Sequence, residues 1–312
     1  MTDTKNFNTY VQQGSDFVPR KDVAVSNKLT PGLYHVRQNE FTGEIFFSKT
    51  SHNHDNIVDI PSKEFTQVVS EMDLFLKPGT KEKFKEHGFL YKRSALLHGL
   101  PGTGKTCIVN RVAAEVIKGG GVVLFNPDIR LIQGAFEILE DVQPESMTLV
   151  IFEEVNEILN RYEEQLLSIL DGEVQKNNVM YLATTNFLEE IPARICRPGR
   201  FSSIIEVGFP DAAARAVYLG TKLKDKAKIA AIVEVTDGFS IDEVKETVLA
   251  TECLNQTLFA VIDRIKVTKG MAATLPESTK RGKKDKMSKQ QRDLMEHFEL
   301  TMPSMGKVGR NN

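Results

Sequence analysis

Residues 99–106 read Gly99-Leu100-Pro101-Gly102-Thr103-Gly104-Lys105-Thr106 and fit the pattern G-x-x-x-x-G-K-[ST]. Its surroundings fit too. An apolar run, Ala95–His98, precedes it, and a helical pattern follows over 104–118. Glycines let the backbone turn tightly, so that successive N–H groups point at phosphate oxygens. A helix N-terminus adds positive potential there. The motif assigns Lys105 to the β/γ-phosphates and the Thr106 hydroxyl to Mg²⁺.

Outward from this loop, short apolar runs alternate with amphipathic segments. The runs are Ala95–His98, Val122–Phe125, Leu149–Phe152, Met180–Ala183 and Ile204–Val207. Helical patterns are predicted near 104–118, 130–142, 157–170 and 187–195. Fully apolar strands alternating with helices mark a parallel sheet covered on both faces. After Pro210 the pattern turns helical, over 211–223, 226–235, 240–253 and 256–267. Before the loop, residues 1–30 read as a polar, weakly ordered leader. Leu33–Val36 and Glu44–Phe47 read as a β-hairpin around Asn39–Gly43. Ser62 to Phe75 has helical spacing, and Thr80 is placed to cap a short helix ending at His87. The predicted organisation is an accessory region over 1–73, a core over 74–210, a helical lid over 211–268 and a basic tail over 269–312.

Magnesium needs a further ligand. Leu149-Val150-Ile151-Phe152-Glu153-Glu154 delivers two carboxylates at the C-terminal end of a buried strand, 48 residues after Lys105. Ligands bind at such strand ends in open α/β sheets. Glu153 is assigned to the metal, directly or through water, and Glu154 to polarising the attacking water. A solvated acidic pair is the plain alternative. Tyr181–Asn186 brings a second strand that ends in an amide. Asn186 can hold a γ-phosphate or a water because an amide donates and accepts; a simple turn-forming Asn also fits. Arg194, Arg197 and Arg200 surround Pro198-Gly199, which no regular helix accommodates. Guanidinium groups on a rigid turn suit transition-state charge stabilisation, commonly in trans, or a surface basic patch.

The order of these motifs, with Leu170-Asp171-Gly172, Pro192-Ala193 and Asp237-Gly238-Phe239-Ser240, resembles the narrow-sense AAA ATPases over roughly 74–267. The resemblance implies an α/β fold: a P-loop NTPase αβα sandwich with a five-stranded parallel sheet, a C-terminal helical lid and a small N-terminal α+β region. It implies ATP and Mg²⁺ as cofactors and a homo-oligomeric ring, usually a hexamer. The implied nucleotide set is Gly99, Pro101, Gly102, Thr103, Gly104, Lys105, Thr106, Cys107 and Gly238. Asn186 is similar to the sensor-1 residue, and Arg197 and Arg200 to arginine fingers reaching a neighbouring subunit's site. Asp73–Leu76, Gly88–Arg93 and the acid at 153 preceding a second acid resemble the mitochondrial AAA chaperone group that translocates the folded Rieske iron–sulfur protein. Glu154 departs from that group's Asp, and no matching N-terminal membrane helix is read here.

Threading relatives carry an aromatic–apolar–Gly loop after the second strand. Here the stretch is Asn126–Gly134 without an aromatic. Phe136 falls at core spacing, and Leu131-Ile132 is left as a weak grip. No HExxH follows the lid, which excludes the membrane-protease type.

Composition bounds the rest. The chain has 312 residues, 41% hydrophobic and 26% charged, so a wholly disordered or collagen-like chain is excluded. Net charge is −2. Residues 269–312 carry ten basic against five acidic residues, +5, which leaves 30 against 37, −7, before them. Cys107, Cys196 and Cys253 form no short-spaced pair, and each reads as a small buried hydrophobe in a reducing compartment. His52-Asn53-His54-Asp55 reads as a polar loop, since no third ligand is placed by spacing. Neither a membrane span nor a signal peptide is read, so a cytoplasmic location is expected. The function read is an ATPase that remodels a protein or macromolecular complex. Its rivals are a nucleic-acid motor or loader using Lys280–Lys289, and a scaffold that binds ATP with little turnover.

Overall fold

The computed structural model describes residues 9–13, 16–20, 26–50, 62–171 and 176–274. Contacts gather residues 1–263 into one unit and 264–312 into another. In the first unit the chain forms β1 (Thr9–Gln13), β2 (Asp16–Arg20), β3 (Gly32–Gln38), β4 (Ile45–Thr50), α1 (Lys63–Leu76) and α2 (Thr80–Glu86). Then come β5 (Lys92–His98), α3 (Lys105–Lys118), β6 (Val122–Phe125), α4 (Ile132–Val142), β7 (Thr148–Phe152), α5 (Val155–Asp171), β8 (Val179–Thr185) and β9 (Ser203–Glu206). Helices α6 (Ala212–Lys222), α7 (Lys226–Val235) and α8 (Ile241–Val248) follow, and α9 (Leu258–Thr274) runs into the second unit.

One sheet carries the molecule, in the order β4-β3-β6-β7-β8-β5-β9. The five predicted parallel strands lie together as β6-β7-β8-β5-β9. Two more strands extend them. β3 pairs with β6 in parallel and with β4 in antiparallel, so the sheet has seven strands rather than five. The predicted hairpin is therefore part of the main sheet. Its turn is held by Asn39, whose Oδ1 accepts from the backbone of Phe41 and Thr42. Residues 1–30, predicted to be weakly ordered, contain the antiparallel pair β1–β2.

The strands are apolar on both faces because both faces are covered. Leu96, Leu124, Phe152 and Tyr181 face the layer of α4 and α5. Ala95, Leu97, Val123 and Leu182 face α1 and α3. This alternation gives two cores and an αβα sandwich. Ser62 caps α1 by accepting from Phe65 N, and Val68, Met72 and Phe75 turn inward.

Three local predictions change. No helix spans 187–195. Only one 3₁₀ turn, Leu188–Glu190, forms there, because Pro192 has no N–H and disfavours helix at the residue before it. Thr80 does not cap α2. Gly79 holds the cap position, and the Thr80 hydroxyl donates to Leu74 O. The cysteines are not buried: Cys107 and Cys196 are half-exposed and Cys253 is exposed. Phe136 is in the core as predicted. Ile132 is there too, and Leu131 packs against it, so this pair offers no free grip. The histidine-rich loop at 52–55, Gly172 and the Lys-rich tail lie outside the described residues. Among the described residues no helix is long and apolar enough to cross a membrane.

Candidate functional site: a phosphate-binding cleft at the strand ends

A cleft of about 610 Å³ opens where β5, β7 and β8 end. Pro101, Gly102, Gly104, Lys105, Thr106 and Cys107 supply one wall. Glu153, Glu154, Thr184 and Asn186 supply the next, and Ile241 and Asp242 a third. The sequence-predicted phosphate, metal and sensor residues thus converge on one space.

The loop takes its shape from glycine. Gly102 and Gly104 have φ +75° and +106°, in the left-handed region that a β-carbon penalises. Gly102 is also crowded. A β-carbon there would lie 2.8 Å from Asp242 Oδ2 and 3.0 Å from Ser240 Oγ. Gly104 opens α3, whose first N–H groups face the cleft without a side-chain cap. Lys105 is buried, and its Nζ donates to Gly99 O at 2.8 Å and Leu100 O at 2.9 Å. Burial lowers its pKa, and the Glu154 charge pulls it back up. Gly99 and Thr103 shape the loop from behind: Gly99 supplies that carbonyl, and Thr103 Oγ1 donates to Leu100 O.

The two metal candidates are neighbours in the cleft, and the Thr106 hydroxyl lies close enough to the Glu153 carboxylate to pull its pKa down. Its Oε1 is buried with no hydrogen-bond partner. Burial is the main cause of its raised pKa, with the charge of Glu154 adding to it. A desolvated, unsatisfied carboxylate oxygen beside a hydroxyl suits a hard divalent cation. Mg²⁺ takes one or two carboxylates plus phosphate and water oxygens, so these residues fit it. Among the described residues no three His, Cys, Asp or Glu side chains form a self-sufficient metal cage. When bound, the ion neutralises charge on transferring phosphate oxygens.

Glu154 is exposed to the cleft and has φ +52°. Its N–H donates to Thr184 Oγ1 at 3.2 Å, which ties β7 to β8. Glu153 N donates to Asn126 Oδ1 at 2.7 Å, while Asn126 N donates to Ile151 O. Asn126 is a site residue that the sequence reading missed. Its signal was faint: an Asn at a strand end before Pro127, of the type that tolerates the φ of +41° it adopts.

The arginine turn stands apart from the cleft lining. Arg200 is clamped to Asp171 by Nε–Oδ1 at 2.5 Å and Nη2–Oδ2 at 2.6 Å. Arg194 pairs with Glu163. Arg197 is exposed, and its side chain makes no hydrogen bond or ion pair among the described residues. Gly238 does not line the cleft either. Its neighbours Ile241 and Asp242 do, and Ile241 N donates to Gly102 O at 2.9 Å.

A glycine loop on a helix N-terminus, an acid pair and a polar strand end in an αβα sandwich define the class: a P-loop α/β fold with a cleft suited to phosphate. Residues 95–209 match the model of the ATPase family associated with various cellular activities (AAA). The chain is similar to the proteasome-activating nucleotidase of Aeropyrum pernix, 34% identical over 194 residues, 53% of this chain and 46% of the relative. The proteasome-activating nucleotidase of Saccharolobus solfataricus is 29% identical over 215 residues, covering 60% and 53%. A Cell division cycle protein 48 homolog of Archaeoglobus fulgidus is 30% identical over 180 residues, covering 51% and 24%. The matched part therefore spans about half of the nucleotidases and about a quarter of the Cdc48 homolog.

Proposed function

We propose that the chain is a ring-forming ATPase that couples Mg-ATP hydrolysis to remodelling of a protein or protein-containing complex. The observation that carries this is the convergence of Lys105, Thr106, Glu153, Glu154 and Asn186 on one cleft. Lys105 and the loop N–H groups bind phosphate. Thr106 and Glu153 hold the metal. Glu154 accepts the proton of the attacking water, and Asn186 orients it.

Lys105 is the one basic residue among the described residues that line this cleft, and no arginine lies there. Arg197 is exposed and is not among the residues lining its own cleft, so it serves the cleft of a second copy. A ring, probed first as a hexamer, follows from repeating that contact. The names of the relatives favour protein as the substrate. Placement beside the Rieske-translocating group rests only on the segments at 73–76 and 88–93 and on Glu153, and it concerns the motor alone.

The test is ATP hydrolysis per subunit against protein concentration, with mass measured in parallel. Specific activity is expected to fall as the assembly dissociates. Constant activity per subunit in monomers would sink the shared site.

A further inference from the structure

Asp242 has no role in the phosphate chemistry above, yet it lines the same cleft. It is exposed on the first turn of α8, next to the Ser240 cap. Its carboxylate lies against Gly102 and near enough to Cys107 to raise that thiol, after burial, by its charge. The main chain holds it there: Ile241 N donates to Gly102 O, and Ser240 and Glu243 form a reciprocal capping box. Glu243 is thus occupied as a cap, while among the described residues Asp242 is given no hydrogen bond or ion pair.

An ionised carboxylate only accepts hydrogen bonds. Phosphate oxygens also only accept, so Asp242 gains nothing from them. The donors of a nucleoside triphosphate are the sugar hydroxyls and the amine of the base. Lys105, Thr106, Glu153 and Glu154 fix the triphosphate end of the cleft. Asp242 stands on a different wall, beside Gly102 and Cys107, where the chain passes from the loop into α3. The group next to the phosphates is the sugar.

Resting on the proposed nucleotide site, we infer that Asp242 is a specificity-determining residue that accepts a hydrogen bond from a ribose hydroxyl and selects ribonucleotide over deoxyribonucleotide. The test measures binding of Mg-ATP, 2′-deoxy-ATP, 3′-deoxy-ATP and inosine triphosphate to the full chain and to Asp242→Ala. A charged hydrogen bond implies that one deoxy analogue binds the unmodified chain about tenfold or more weaker than ATP. That deficit is expected to vanish in Asp242→Ala. The comparison on the unmodified chain needs no variant to fold. Equal deoxy-to-ATP ratios in both proteins would overturn the inference. So would a variant that binds every nucleotide tighter by one factor, which means the carboxylate only repels phosphate. Selectivity that follows inosine rather than the deoxy sugars would also overturn it. Failure of ATP itself to bind the unmodified chain would defeat the nucleotide site, a distinct result.

Discussion

Glu154 carries a side chain in a backbone region that disfavours one, at a cost of about 1 kcal/mol. The sheet can hold that strain because Glu154 N is fixed to Thr184 Oγ1. The conformation turns the carboxylate out of the strand and into the cleft. Glu154→Gln keeps the shape and removes the proposed base. It is expected to bind ATP as before and to lower turnover by about 100-fold or more, read by phosphate release against nucleotide binding. Glu153 makes a different prediction. Burial raises its folded pKa above the unfolded value, so the folded chain holds this proton more tightly. Its contribution to stability is therefore lost as pH rises from the ordinary carboxylate value through the raised one. Glu153→Gln, which cannot ionise, is expected to melt progressively higher than the unmodified protein as pH goes from 4 to about 7. A melting difference that is flat with pH would contradict the desolvated carboxylate. Lys105, Thr106, Glu153, Glu154 and Asn186 were legible because each sits at a fixed place in a motif. Asn126 and Asp242 were not, because their roles depend on which strand end and which helix start meet in space.

At the scale of elements, sequence legibility follows burial. The five parallel strands could be read because two-sided burial leaves continuous apolar runs. The pairing of β3 with β6 could not, since β6 lies about 90 residues away and its partner edge leaves no mark in either strand. The false helix at 187–195 shows apolar spacing losing to Pro192. The arginine turn was legible as a turn, but not in how its arginines divide their work. Arg200 is paired within its own chain, and Arg197 is not. Arg200→Ala is expected to lower the melting temperature slightly, a part-exposed pair being worth little. Arg197→Ala is expected to leave melting unchanged and to cut hydrolysis by about 100-fold or more. A melting scan and a phosphate assay on both variants separate the two roles. The reverse pattern would make Arg200 the finger. The start of α8 makes the lid's contribution testable as well. Ser240→Ala removes half of the capping box and is expected to cost about 1 kcal/mol in thermal unfolding. Nucleotide binding should weaken with it, because the same turn anchors the phosphate loop through Ile241 N.

For the whole molecule, the near-neutral charge of −2 conceals an acidic chain to residue 268 and a basic stretch after it. The acidic part contains the region that matches the AAA model, and Arg197, exposed on the arginine turn, is not among the residues lining the cleft. A site split between copies has a consequence that no folded monomer shares. In the proposed ring Glu154 would act on the nucleotide of its own chain and Arg197 on that of its neighbour. Glu154→Gln and Arg197→Ala should therefore each be inactive alone. Mixed in one ring, an Arg197→Ala subunit with an intact Glu154 can sit beside a Glu154→Gln subunit with an intact Arg197. That junction holds a complete site. Mixing the two proteins is expected to restore a fraction of the hydrolysis, largest near equal proportions and absent when assembly is prevented by dilution. If both groups served the same chain's nucleotide, every junction would lack one of them, and no proportion of the two variants would recover activity.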